Sequence, residues 1–211
     1  IVVPHGNSVE KNAAMRALGA DVIEHGADFQ EARERSMVVA AERGLEAVAP
    51  FHRDLVLGVA TYARELFDGA GALDTVYVPV GMGSGINALI AVRDLLGLET
   101  SIVGVVSDRA RSTQLSFERG EVVTTETATT FVDGVATRTP DADSIAGIVA
   151  GAARIIAVSD DATAEAMRII YRCTHNVAES AGAIGLAGLL SEPIGQRGEG
   201  SAFVLCGGNV D

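Results

Sequence analysis

Short apolar runs along the chain alternate with longer stretches in which apolar residues recur every three or four positions, the pattern of strands followed by helices. Residues 1–4 (Ile-Val-Val-Pro) predict a short buried strand. Asn7 or Ser8 can cap a helix over residues 9–18, which Gly19 would stop. Residues 21–24 predict a second strand, and Asp28 can cap a long helix over 29–43, ended by Gly44. Residues 46–51 return toward strand character. A helix over 53–67 follows, with Val56, Val59, Tyr62 and Leu66 at helical spacing. Residues 75–80 (Thr-Val-Tyr-Val-Pro-Val) are the clearest strand and run directly into a glycine turn at 81–85, before a helix over 86–96. Further strands are predicted at 101–106, 155–158 and 202–206. Helical segments are predicted at 115–118 (or a turn), 141–150, from a cap at Asp160 or Asp161 to about 171, and 178–190. Residues 122–135 read as a threonine-rich loop. The rhythm implies an α/β fold with parallel strands and right-handed crossovers, with residues 1–50 as one lobe and 51–211 as another.

Composition narrows the classes. The 211 residues are 48% hydrophobic, with 24 glycines and 5 prolines, which suits a chain with a sizeable core. The net charge is −12 and the 16 basic residues are scattered, so neither nucleic acid nor an anionic membrane finds a clustered cationic surface. No apolar run reaches the roughly 18–20 residues that span a bilayer, and no signal peptide is legible. The start at Ile1, already strand-like, suggests truncation, processing or a fragment. Cys173 and Cys206 form no CxxC motif and no Cys/His set at metal spacing, so no metal site is expected and a reducing, cytoplasmic compartment fits.

Three segments carry candidate chemistry. Gly81-Met82-Gly83-Ser84-Gly85 joins a strand to a helix start, where backbone N–H groups and the helix dipole form an anion cradle; the same glycines also suit a merely tight turn. The segment matches neither GxGxxG nor the P-loop, since no lysine follows. Cys206-Gly207-Gly208-Asn209 would put a polar atom at the carboxyl edge of a parallel sheet, where open α/β folds bind ligands; a small buried hydrophobe before a turn fits equally. Glu179 heads an apolar helix, as a site residue or as ordinary N-terminal charge placement. Asp133-Gly134 alone reads as a turn. His5, His25, His52 and His175 form no HxH or HxxxH pair, and no GxSxG elbow exists.

In order along the chain, these segments resemble the threonine/serine dehydratase branch of the fold type II pyridoxal-phosphate enzymes. The resemblance begins with Gly6-Asn7-Ser8-Val9-Glu10-Lys11 and continues through His25-Gly26-Ala27-Asp28-Phe29 and Val78-Pro79-Val80 with the glycine turn. It runs on through Leu115-Ser116-Phe117-Glu118, Phe131-Val132-Asp133-Gly134 and Ala178-Glu179-Ser180-Ala181-Gly182-Ala183, and closes with Cys206-Gly207-Gly208-Asn209-Val210-Asp211. It implies a three-layer sandwich of mostly parallel twisted sheets, with residues 1–50 as an incomplete small lobe and 51–211 as the large cofactor-binding lobe. It also implies pyridoxal 5′-phosphate as cofactor. Gly81, Met82, Gly83, Ser84 and Gly85 would hold its phosphate, Cys206 would face its pyridine nitrogen, and Glu179 would lie near the active site. Dimers are usual in the family.

The pattern departs from the family at four places. Met82 and Ser84 interrupt what is often an unbroken glycine run, and Gly58-Val59-Ala60-Thr61 stands where G-Q-G-T is common. Neither the S-x-K-x-R-G segment that supplies the Schiff-base lysine nor the G-N-H turn occurs. The single lysine, Lys11, belongs to another motif, so the catalytic lysine is not in this chain. The expected activity is a dehydratase that converts a hydroxy amino acid such as L-threonine or L-serine to a 2-oxo acid and ammonia. Racemisation of the same amino acids, a non-catalytic phosphate-ligand binder and a structural α/β domain remain alternatives.

Overall fold

The computed structural model describes residues 1–210, so Asp211, the last residue of the resemblance, lies outside the described residues. The chain divides into two compact units, Ile1–Pro50 and Phe51–Val210.

The first unit pairs strand β1 (Val2–Val3) in parallel with β2 (Ile23–Glu24). Between them lies helix α1 (Val9–Ala17), capped by the Ser8 hydroxyl, which accepts from the Lys11 N–H. Helix α2 (Phe29–Arg43) follows, with the Asp28 carboxylate accepting from the Glu31 N–H and Gly44 closing it in the left-handed region. These ends match the expected capping, because each cap is built from residues within one turn of it. The strand expected at 46–51 does not form. Among the described residues, no strand pairs with it, and periodicity alone does not supply a ladder.

The second unit is built on a four-stranded parallel sheet in the order β5-β4-β3-β6. Its strands are β3 (Thr75–Pro79), β4 (Ser101–Ser107), β5 (Arg154–Val158) and β6 (Ser201–Phe203). Side chains alternate between its faces. Val76, Val78, Ile102 and Val106 point into one core with helices α3 (Arg53–Gly69), α4 (Ser84–Leu95) and α6 (Ala142–Gly151). Tyr77, Val103 and Val105 point into the other, with α7 (Asp160–Thr174) and α8 (Ser180–Ser191). Helix α5 (Ser112–Arg119), the four-residue α9 (Ile194–Arg197) and a 3₁₀ turn at Asp133–Val135 complete the unit. This is the expected three-layer arrangement of a parallel sheet between helices. Helix α8 is almost wholly buried, and its small residues let it lie close on the sheet, with Gly188 against Val105.

Two boundaries differ from expectation. Ser159, not Asp160 or Asp161, caps α7 by accepting from the Ala162 N–H. That leaves Asp160 Oδ1 to accept from Ser107 Oγ at 3.0 Å and Thr130 Oγ1 at 2.6 Å, which pins the threonine-rich loop to the sheet edge. The last strand ends at Phe203, so Cys206 lies beyond it, outside any regular element. Among the described residues, no helix is long and apolar enough to cross a membrane.

Candidate functional site

The site grows from the carboxyl end of β3. Five apolar or β-branched residues form the strand, and at Gly81 the chain turns out of the sheet. Gly83 caps α4 with φ +95, in the left-handed region, where a side chain would be strained. The space is also taken, because a Cβ on Gly83 would collide with Ser144 Oγ, and one on Gly81 with the Gly134 carbonyl. Among the described residues, the N–H groups of Gly81, Met82, Gly83, Ser84 and Gly85 donate to no protein acceptor. Five consecutive free donors at the start of a 12-residue helix make a strong anion-binding arrangement.

These residues line a cavity of about 560 Å³, within the roughly 300–1,000 Å³ usual for small-molecule sites. Val59 and Tyr62 of α3, Val78 of β3, Gly134 of the 3₁₀ turn, Ala181 of α8 and Cys206 are among the other residues of its wall. Gly81, Met82, Gly83, Ser84, Gly85 and Cys206, six of the residues singled out from sequence, thus face one space. Glu179 does not line it. Glu179 caps α8, its N–H donates to the Gly207 carbonyl at 3.0 Å, and its carboxylate packs against Gly207. It shapes the turn that carries Cys206.

Two ionisable groups on the wall are held protonated. Cys206 opens on solvent as a residue, yet its sulfur lies among protein atoms. That burial, and then the Glu179 charge, push the thiol above its ordinary range. Burial, and then Cys206, push the Tyr62 phenol upward too. The Tyr62 hydroxyl donates to the Gly85 carbonyl at 3.3 Å, joining α3 to the first turn of α4. The sequence pattern marked Tyr62 only as part of an apolar helix face. A phenol in such a stripe needs a polar partner when buried, and that was the available signal.

Residues 1–207 match the family profile described as pyridoxal-phosphate dependent enzyme. The chain belongs to this family. Over its whole length it is 33% identical to the L-threonine dehydratase biosynthetic IlvA of Salmonella typhimurium, and 30% identical to the L-threonine ammonia-lyase of Thermotoga maritima. It spans 42% and 53% of those two enzymes. Among solved structures, it is similar over its whole length to the threonine deaminase of T.th., at 30% identity and TM-score 0.88, covering 69% of that chain. It is also similar to the processed threonine deaminase isoform 2 of Solanum lycopersicum, at 27% identity and TM-score 0.88, covering 62%.

The cofactor of this family is pyridoxal 5′-phosphate, and the cavity fits it chemically. The unpaired amides of the turn suit a phosphate dianion. A protonated thiol suits a neutral ring nitrogen, and the Val59, Val78 and Ala181 side chains suit an aromatic ring.

Proposed function

We propose that this protein is a pyridoxal-phosphate-dependent ammonia-lyase that converts a hydroxy amino acid, such as L-threonine or L-serine, to a 2-oxo acid and ammonia. The observation that carries this reading is the row of free amides at 81–85 sharing one cavity with the protonated thiol of Cys206. Relatives named L-threonine dehydratase and L-threonine ammonia-lyase, at 33% and 30% identity, support the substrate class.

Bound here, the cofactor would supply an electron sink for charge developing at the substrate α-carbon. The chain's own residues bind and orient. Amides of Gly81, Met82, Gly83, Ser84 and Gly85, with the Ser84 hydroxyl, would hold the phosphate against the positive end of α4. Cys206 Sγ would meet the pyridine nitrogen as a neutral partner. That leaves the nitrogen largely unprotonated and the electron pull milder than a carboxylate partner would give. Glu179 would hold the 206–209 turn in place. The ionisable groups of the wall, Cys206 and Tyr62, both keep their protons at neutral pH, so neither is assigned as the base. The resemblance gives that role to the lysine of an S-x-K-x-R-G segment. Lys11 stands at the start of α1 in the first unit and is not assigned to it. The reading includes a large cofactor-binding lobe at 51–211 beside a partial small lobe at 1–50. It also includes a homodimer and a reducing cytoplasmic setting, in keeping with the free thiols of Cys173 and Cys206.

The test is spectral and chemical. Full-length protein with added pyridoxal phosphate should show the visible band of a lysine-bound cofactor, bleached by borohydride. It should then release ammonia and a 2-oxo acid from L-threonine or L-serine. A D-amino acid product would turn the reading to racemisation, and absence of the band would reject it.

A further inference from the structure

The Gly83 carbonyl, at the centre of the glycine turn, accepts twice from one residue. Asn87 N lies 3.2 Å away and Asn87 Nδ2 lies 2.9 Å away. The same side-chain nitrogen lies 3.2 Å from the Ser144 carbonyl and 3.1 Å from Ser144 Oγ. One amide therefore ties the turn to α4 and α4 to α6. The fit is close on both sides. A Cβ on Gly83 would strike the buried Ser144 hydroxyl, and one on Gly147 would strike Asn87 Oδ1.

Peptide planarity gives this bracket a consequence. The carbonyl of Gly83 and the N–H of Ser84 belong to one plane and point in opposite directions. With the carbonyl drawn back into α4, the Ser84 N–H is turned outward, away from the helix. Helix packing does not call for an asparagine here. Asn87 interrupts an apolar run, Ile86 to Val92, and asparagine is a poorer helix former than alanine.

We propose that Asn87, braced by Ser144, is a positioning residue that aims the amide donors of the turn at the phosphate of the cofactor. The inference rests on the function proposed above. Asn87 bonds to Gly83 and Ser144 and does not line the cavity, so its effect passes through the backbone. It should therefore be specific to the phosphate end of the cofactor.

The experiment compares two ligands on full-length protein stripped of cofactor, pyridoxal 5′-phosphate and pyridoxal, which lacks the phosphate. Asn87→Ala should weaken pyridoxal phosphate about tenfold, the scale of one or two hydrogen bonds, and leave pyridoxal affinity unchanged. Asn87→Asp, which sets a carboxylate against the Gly83 carbonyl, should weaken it further. Ser144→Ala should shift it in the same direction by less, and serves as the deciding variant if the Asn87 substitutions fail to fold. Equal losses for both ligands, or no loss in a folded variant, overturn the proposal. A parent protein with no preference for pyridoxal phosphate over pyridoxal overturns the proposed function, and the positioning role falls with it. A normal parent preference left unchanged in the variants overturns the positioning role alone.

Discussion

Arg154, at the start of β5, grips Glu192, just past α8, with two parallel hydrogen bonds, Nε to Oε1 at 2.7 Å and Nη2 to Oε2. The carboxylate is 9% exposed and also accepts from the Tyr77 hydroxyl. It ties the buried helix α8 to the sheet beneath it. Glu192→Gln should cost roughly 2 kcal/mol, below the full value for a buried pair because the arginine side chain is 30% exposed. Urea denaturation would measure it. The Arg154 guanidinium first, and then the Tyr77 hydroxyl, hold Glu192 below its ordinary value of 4.5. A depressed folded value means that the contribution is complete above that ordinary value and is lost as pH falls through the folded one. The acid limb of the stability profile should therefore flatten in the Gln variant.

Tyr77 predicts an opposite limb. Burial, followed by the hydrogen bond to Glu192, pushes the phenol from 10.0 up to about 12. The unfolded chain ionises first, so stability should decline as pH rises from about 10 toward about 12. Tyr77→Phe should lower stability at neutral pH by about 1 kcal/mol, the worth of one hydrogen bond, and should make the alkaline decline shallower. Thermal melts across pH 8 to about 12 would show both effects.

How far the sequence alone carries the picture depends on how local each determinant is. Helix α2 was legible to its ends because Asp28 and Gly44 act within one turn of them. The turn at 81–85 was legible because the strand, the glycines and the helix start are contiguous. The segment 46–51 misled because strand-like residues need a partner strand, which lies elsewhere in the chain or nowhere. Tyr62, Asn87 and Ser144 were passed over for a related reason. The hydroxyl of Tyr62 finds Gly85 23 residues away, and Asn87 finds Ser144 57 residues away. In the sequence Asn87 is only a polar residue in an apolar run, Tyr62 only part of an apolar helix face, and Ser144 only a polar residue beside the acidic start of a helix. Such a residue signals that a partner exists without naming it.

Gly83→Ala separates backbone geometry from side-chain chemistry in the turn. The new methyl group would sit at φ +95 and collide with Ser144 Oγ, so a loss of about 2 kcal/mol is expected from strain and displacement. Pyridoxal phosphate affinity should fall more than tenfold, since the amides lose their common focus. Ser84→Ala removes one hydroxyl and keeps every amide, so its effect should be a few-fold at most. Thermal melting with ligand titration on both variants checks the order. Equal losses would show that the hydroxyl matters as much as the main chain, against this expectation.

Cys206 offers a chemical readout of the same cavity. Only the thiolate attacks an alkylating reagent, and burial with the Glu179 charge holds this thiol protonated above its ordinary 9.0. Carbamidomethylation of Cys206 by iodoacetamide should therefore be slow at neutral pH and accelerate as pH rises past that value. Glu179→Gln removes the second cause, lowers the thiol toward its ordinary range and should speed the reaction at neutral pH. On the proposed reading, in which pyridoxal phosphate lies between the glycine turn and the thiol, it should protect Cys206 while leaving the exposed Cys173 on α7 unprotected. Peptide mass spectrometry resolves the two sites. Protection equal at both, or absent at Cys206, would place the cofactor elsewhere and remove the thiol from the site. Faster reaction in Glu179→Gln without ligand would still tie Glu179 to Cys206, so the electrostatic and ligand-binding claims can fail separately.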